Sequence, residues 1–284
     1  MFSITKLSPL VSVIIPVYNS AMTLDDCILR VAKQTYQNWE IIIVDSNSVD
    51  GTCGIALKWS SHLGEEKCRY YNTRIQSRTK ARNLGVKLAR GERIFLLDSD
   101  NFLPEEFFKE CVKKINTVDF DGLRIRVKEV WKDKSYIAKC WYFLIYCEEN
   151  GEFKQRPYPN FYKRDIWLKL DGQNEKLEFG EDLEFTLRFE QAGYSAPVLE
   201  KPVVMHNMPF SLKSILFKSI SSKTSSSKCT KKIIHKPQTI SSPEDQSIWV
   251  RRILFMLKNP KYALGMTFLM LICVIGIVFH KISY

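Results

Sequence analysis

Acidic side chains stand at the places where a sheet would present them to a ligand. Asp45 follows the apolar run Glu40 to Val44 (EIIIV), and Asp98-Ser99-Asp100 follows Arg93 to Leu97 (RIFLL). In an open α/β sheet a ligand settles beyond the carboxyl ends of the strands, so the residues just after each strand are the ones that reach it. Two carboxylates at alternate positions there can share a hard divalent cation, Mg2+ or Mn2+, whose remaining positions go to water and phosphate oxygens. Taken alone, a D-x-D triplet also marks many solvated turns. The surrounding elements have to decide its meaning.

Those elements alternate. Ser12 to Val17 (SVIIPV) and Glu40 to Val44 are short, β-branched and continuously apolar, the pattern of strands buried on both faces of a parallel sheet. Between them Ala21 to Gln34 sets Leu24, Cys27, Ile28 and Val31 at helical spacing, with Asn19 or Ser20 available as the cap. Lys80 to Ala89 reads as a helix stopped by Gly91-Glu92, and Arg93 to Leu97 as the next buried strand. The alternation predicts an α/β domain with a mostly parallel sheet. Asp121 to Trp131 reads as a further strand, and Cys140 to Cys147 (CWYFLIYC) as core or as a wall facing an acceptor.

Charge separates the chain into two parts. The net charge is +11, yet residues 1–200 carry 29 bases and 29 acids, whereas residues 201–284 carry 13 and 2. A neutral main domain argues against a nucleic-acid partner. Tyr262 to Phe279 (YALGMTFLMLICVIGIVF) is a run of 18 uncharged residues, enough for about 27 Å of helix and one membrane crossing. Bases crowd before this run and only His280 and Lys281 follow it, so the positive-inside rule predicts a single-pass protein of the cell membrane with its main domain in the cytoplasm. Phe210 to Ile220 is amphipathic enough to lie on a membrane surface, and Ser221 to Ser242 reads as a loose basic linker. The expected organisation is a domain over 1–209, a basic juxtamembrane segment over 210–261 and a transmembrane helix over 262–280. Pro9 to Val17 lacks the basic leader and cleavage site of a signal peptide, so export by that route is not expected. Eight cysteines without a C-x-x-C pair suit reduced thiols.

SVIIPVYNS, IIIVDSNSVDGT, KARNLGVKLARGE and IFLLDSDN, in this order and spacing, resemble the nucleotide-sugar half of a family 2 glycosyltransferase with the GT-A fold. NFYKRDIWLKLD, leading to Phe179-Gly180-Glu181-Asp182-Leu183-Glu184-Phe185, resembles the acceptor half. The resemblance covers roughly residues 10 to 207. It implies a Rossmann-like GT-A fold in which Pro16, Val17, Tyr18 and Asn19 line the nucleotide pocket, with Asp45 near the base and ribose. Asp98, in the Asp98-Ser99-Asp100 turn, would touch the ribose or a divalent cation, and Asp100 would be the main metal ligand. Asp182 would be the catalytic base, with Glu181 contacting the acceptor or supporting Asp182; helix capping by these acids is the alternative. His206 would be a third metal ligand, a phosphate contact or a structural histidine. Many relatives carry a second acid where this chain has Ser46, so UDP and GDP remain equally open.

The stretch from Arg69 to Arg90 holds Arg69, Arg74, Arg78, Lys80, Arg82, Lys87 and Arg90 and no acid. It fits either a flank of the diphosphate site, with Arg78 the preferred contact, or a solvated helix face. The expected activity is an inverting transfer of one sugar from a nucleotide diphosphate sugar to a hydroxyl of a lipid-linked glycan or glycolipid. The alternatives are transfer onto a polyprenyl phosphate and an inactive, membrane-tethered nucleotide-sugar-binding module. The chain has no Q-x-x-R-W sequence of processive synthases, which favours one sugar per encounter.

Overall fold

The structure is a computed structural model that describes residues 8–75, 77–118, 120–130, 136, 139–140, 159–177, 180–207 and 253–282. Four parallel strands form its first half. They are β1 (Val11–Val17), β2 (Trp39–Asp45), β3 (Cys68–Asn72) and β4 (Arg93–Leu96), in the spatial order β3-β2-β1-β4. Every residue of β1, β2 and β4 is buried, as continuous apolar runs require when both faces are covered. The two-residue period of a strand sorts the side chains. Val13, Ile15, Ile41, Ile43 and Phe95 enter one core, while Ile14, Ile42, Val44, Ile94 and Leu96 enter the other.

Helices fill both cores. On the first face lie α1 (Leu24–Ala32), α2 (Thr52–Leu63) and α4 (Phe107–Ile115), and on the second lies α3 (Arg78–Leu88) with α5 (Arg164–Lys169) and α6 (Glu181–Gln191). The four residues at helical spacing in α1 are buried, as predicted. That helix starts three residues later than its pattern suggests, because Ser20 O takes the amides of Thr23 and Leu24 in a preceding turn. Beyond β4 the sheet continues with antiparallel strands: β7 (Pro159–Lys163) pairs with β4, and β6 (Gly122–Val130) with β7. The sheet ends on β8 (Val198–Asn207) and the short β5 (Asn101–Phe102), giving the order β3-β2-β1-β4-β7-β6-β8-β5.

The chain divides into two compact units, residues 1–127 with 156–206 and residues 128–155 with 207–284. Residues 128–155 group with the C-terminal part. In the second unit α7 (Pro260–Ile282) coincides with the expected apolar run. Tyr136 stacks on Tyr262 and donates to Lys261 O at 2.7 Å, and Gly265 passes so close to Cys140 that an added Cβ would lie 2.5 Å from Sγ. Side chains of α7 are described only as far as Leu271, and among the described residues no helix is long and apolar enough to cross a membrane. The expectations for Trp141 to Cys147, for 210–220 and for 221–242 lie outside the described residues.

Candidate active site

The helix α3 carries the centre of the site. Ser77 caps it by accepting from Lys80 N, and Gly85 lets it press on β1, since a Cβ there would meet Ile14 Cγ2 at 2.3 Å. This seating buries Arg82, one turn before Gly85, at the carboxyl ends of the strands. One Arg82 amino group donates to Asp98 Oδ1 at 2.8 Å. The other reaches Asp182 Oδ1 at 3.1 Å and Glu181 Oε1 at 3.3 Å. Arg78, four residues earlier on the same helix face, donates to Glu181 Oε1 at 2.7 Å. Burial alone would lower the Arg82 pKa, but Asp98, Asp182 and Glu181 raise it above the ordinary guanidinium value. Burial likewise works to raise the pKa of Asp98, and Arg82 and Arg78 outweigh it, holding that carboxyl well below the usual carboxylate range.

Asp182 sits in the first turn of α6, after Gly180 in the left-handed region at φ 80°. Its Oδ1 also accepts from Gln173 Nε2, and its main-chain oxygen accepts from Thr186 Oγ1. Glu181 is buried, whereas the Asp182 side chain is 38% exposed. Both side chains turn to the α3 arginines. Asp100 lies beyond Asp98, and the β5–β8 pairing, which sets Asn101 opposite His206, brings His206 Nε2 to 3.2 Å from Asp100 Oδ2.

The expected cation triad of Asp98, Asp100 and His206 is not gathered around one point. Arg82 holds Asp98, and among the described residues no three His, Cys, Asp or Glu side chains are grouped to hold a metal. Asp100 Oδ1 is nevertheless buried with no hydrogen-bond partner. An orphaned carboxylate oxygen beside an imidazole fits a hard cation in its donor chemistry.

The nucleotide-pocket residues divide in two. Pro16 and Val17 are the last buried rungs of β1, paired with Val44 and Asp45, whereas Tyr18 and Asn19 emerge to solvent. Asn19, at φ 49°, is stitched to the next loop: its amide donates to Ser48 Oγ and its Oδ1 accepts from Val49 N. Asp45 is fully buried, with Oδ1 accepting from Ser48 N and Oγ and Oδ2 from the Tyr70 hydroxyl. Its carboxylate anchors Ser48, whose hydroxyl in turn accepts from Asn19 N. Ser99 faces α1, within 3.5 Å of the Thr23 hydroxyl.

The basic run does not act as one flank. Arg78 and Arg82 reach the site, while Arg69 and Arg90 bind Glu40, and Arg74, Lys80 and Lys87 are exposed. Arg82 was recognisable only by spacing: it shares the buried stripe of α3 with Ala81, Gly85 and Val86. Gln173 gave no such signal, because a loop has no period.

Residues 12–167, more than half of the chain, match the family model described as glycosyl transferase family 2. The chain belongs to glycosyl transferase family 2. This glycosyltransferase is similar to GlyG of Streptococcus pneumoniae, at 31% identity over 115 residues, which are 40% of this chain and 38% of GlyG. It therefore spans well under two thirds of that relative's length. Its fold is similar to that of the mannosyltransferase PcManGT from Pyrobaculum calidifontis, solved with GDP-Man and Mn2+, with a TM-score of 0.58 at 18% identity over 92% of this chain and 74% of that one. S. aureus TarS 1-349, solved with UDP, gives a TM-score of 0.53 at 22% identity over 74% of this chain and 63% of that one. These likenesses establish the α/β GT-A-like fold.

Proposed function

We propose that the protein is an inverting glycosyltransferase that moves a single sugar from a UDP- or GDP-sugar to a hydroxyl of a lipid-linked glycan or glycolipid. The observation that carries this reading is the convergence on Arg82 of Asp98, from the turn after β4, and of Glu181 and Asp182, from the start of α6. A transfer site needs its donor-binding groups and its acceptor base within one group's reach of each other. Asp182, partly exposed, takes the proton of the acceptor hydroxyl while that oxygen bonds to the anomeric carbon, and the sugar–phosphate bond breaks with its electron pair leaving on the diphosphate. Glu181 fixes Arg78 beside the departing diphosphate, where a guanidinium favours the developing charge. Asp100, with His206 beside it, would hold a divalent cation, Mg2+ or Mn2+, which when bound offsets diphosphate charge. The complexes of the two fold relatives, one with GDP-Man and Mn2+ and one with UDP, support a nucleotide-sugar donor and a cation.

The membrane part of the reading rests on α7. Its 23 residues contain the uncharged run Tyr262 to Phe279, and Leu264, Phe268 and Leu271 stand exposed along one stripe. A single crossing with the catalytic domain on the cytoplasmic side would raise the local concentration of enzyme around a membrane acceptor. The test uses purified, detergent-solubilised full chain with a panel of UDP- and GDP-sugars, Mn2+ or Mg2+, and a membrane lipid extract. Metal-dependent release of one nucleotide, lost in Asp100→Ala, is the expected result. Asp182→Asn should slow transfer by roughly 10²–10⁴-fold while nucleotide binding by calorimetry persists. Transfer that survives Asp182→Asn would replace the hydroxyl acceptor by a phosphate. Intact donors together with no nucleotide binding would overturn the reading.

A further inference from the structure

We infer that Gln173 is a second working residue of this site: its amide nitrogen positions Asp182, and its amide oxygen receives a hydroxyl of a bound sugar. The inference rests on the reading of Asp182 as the base.

The orientation of the Gln173 amide follows from chemistry. An ionised carboxylate only accepts hydrogen bonds, so the atom facing Asp182 Oδ1 is the amide nitrogen. The planar amide then directs Oε1 elsewhere, and Oε1 is buried with no hydrogen-bond partner. An unmet buried acceptor is rare in a folded protein and calls for a donor supplied from outside. The site opens to solvent nearby, since the neighbouring Asp182 side chain is 38% exposed.

The residue is held firmly. Gln173 N donates to Asn83 Oδ1 at 3.0 Å, and Asn83 Nδ2 donates back to Gln173 O at 2.8 Å. Gly172 turns the chain at φ +65°, against Asn83 and Trp167, where a Cβ would lie 2.4 Å from Asn83 Oδ1. Its carbonyl accepts from Arg188 at 2.7 Å. Adjacent residues of α3 thus converge on the base, Arg82 directly and Asn83 through Gln173. The bond to Asp182 accounts for the amide nitrogen, whereas no described group uses the amide oxygen. A sugar presents several hydroxyls, so one can meet the Asp182 carboxylate and another the Gln173 amide oxygen. The hydroxyl can belong to the donor sugar or to the acceptor, and the measurements separate the two.

Gln173→Leu, Gln173→Glu and Asp182→Asn are compared with wild type in the full chain, using the donor identified by the panel and the membrane lipid extract. Gln173→Leu loses both contacts, and kcat should fall roughly tenfold or more, a few-fold for each lost hydrogen bond. The half-saturating concentration should rise for donor if the hydroxyl is the donor's, and for lipid extract if it is the acceptor's. Gln173→Glu keeps an accepting oxygen but sets a carboxylate against Asp182, with Arg82 and Glu181 unchanged around it. It should leave half-saturation near wild type and move the acid limb of the rate–pH profile upward, because two carboxylates resist ionising together. A purely structural glutamine would leave half-saturation unchanged in Gln173→Leu, whereas the Gln173→Glu profile reports the contact with Asp182 alone. If Gln173→Leu no longer binds nucleotide by calorimetry, Gln173→Asn, an amide of shorter reach, takes its place, and an unchanged half-saturation there overturns the hydroxyl contact. Wild-type kcat, half-saturation and pH profile in both Gln173 variants, beside a crippled Asp182→Asn, would overturn this inference alone. An Asp182→Asn enzyme as fast as wild type would overturn the base reading and Gln173 with it.

Discussion

The sheet carries an ionic cluster at each end, and the two are built in opposite senses. At the amino ends of the strands a buried carboxylate, Glu40, is surrounded by donors. Its Oε1 accepts from Ser12 Oγ at 2.6 Å and Arg90 N at 2.7 Å, and its Oε2 from Arg69 and Arg90 Nε, both at 2.8 Å. At the carboxyl ends a buried guanidinium, Arg82, is surrounded by carboxylates. Two of these, Asp98 and Asp182, remain 33% and 38% exposed. Asp100 Oδ1 and Gln173 Oε1 close by have no partner at all. Glu40 has both oxygens occupied by the chain itself, which is what a structural cluster needs. The Arg82 cluster keeps acceptors in reserve, and reserve capacity next to solvent is what a ligand uses.

The largest expected effect is at Arg82. Replacing it by Met leaves Glu181 buried with only the half-exposed Arg78 as partner, and removing one member of a buried ionic cluster costs about 3–5 kcal/mol. Thermal melting followed by circular dichroism should show a drop of that size, and nucleotide release should disappear. Unchanged stability would mean that solvent, rather than Arg82, already balances the three acids, and the contrast between the clusters would fail.

How far the sequence shows this contrast depends on periodicity. β1, β2 and β4 are legible because continuous β-branched runs have few other uses, and α1 because its four buried residues repeat at helical spacing. The acids after the strands are legible for the same reason, since a strand's end can be located. The function of the bases is not, because Arg69, Arg78, Arg82 and Arg90 are chemically alike and only tertiary packing sends two to one end and two to the other. Asp45 shows another limit of the sequence. At the carboxyl end of β2 it accepts from Ser48, in the following loop, and from Tyr70, on the neighbouring strand. Partners brought together by strand pairing leave no trace in the spacing of either segment.

An intermediate effect is expected at Glu40. Gln in its place turns an amide group toward guanidinium donors, and losing hydrogen bonds to a charged group costs about 1.5–3 kcal/mol. Activity per folded molecule should be unchanged, in contrast with Arg82→Met. The wild type should also lose stability in acid. Burial works to raise the Glu40 pKa, but Ser12, Arg90 and Arg69 outweigh it, so the folded value lies below the unfolded one. The contribution is therefore complete above the ordinary glutamate value of about 4.3 and disappears as pH falls through the lower folded value. Melting curves at pH 7, 5, 4 and 3 should show this decline in wild type and a shallower one in Glu40→Gln. Equal slopes would place the acid sensitivity elsewhere.

The smallest effect is expected at Glu66, and it tests whether burial rather than contact geometry sets the strength of these clusters. Arg90 meets Glu66 Oε2 at 2.9 Å and Glu40 Oε2 at 2.8 Å, so by distance the two bonds are equivalent. Glu66 is 92% exposed, whereas Glu40 is 1% exposed. Water screens the outer pair and competes for both partners, and Arg90 also keeps its bond to Glu66 O. Glu66→Gln should therefore cost about 0.5 kcal/mol or less, several times below the cost of Glu40→Gln, and that small loss should vanish in high salt. A cost for Glu66→Gln equal to that for Glu40→Gln would mean that Arg90 holds its charge by geometry alone. Exposure would then no longer separate the structural cluster from the one that keeps acceptors open for substrate.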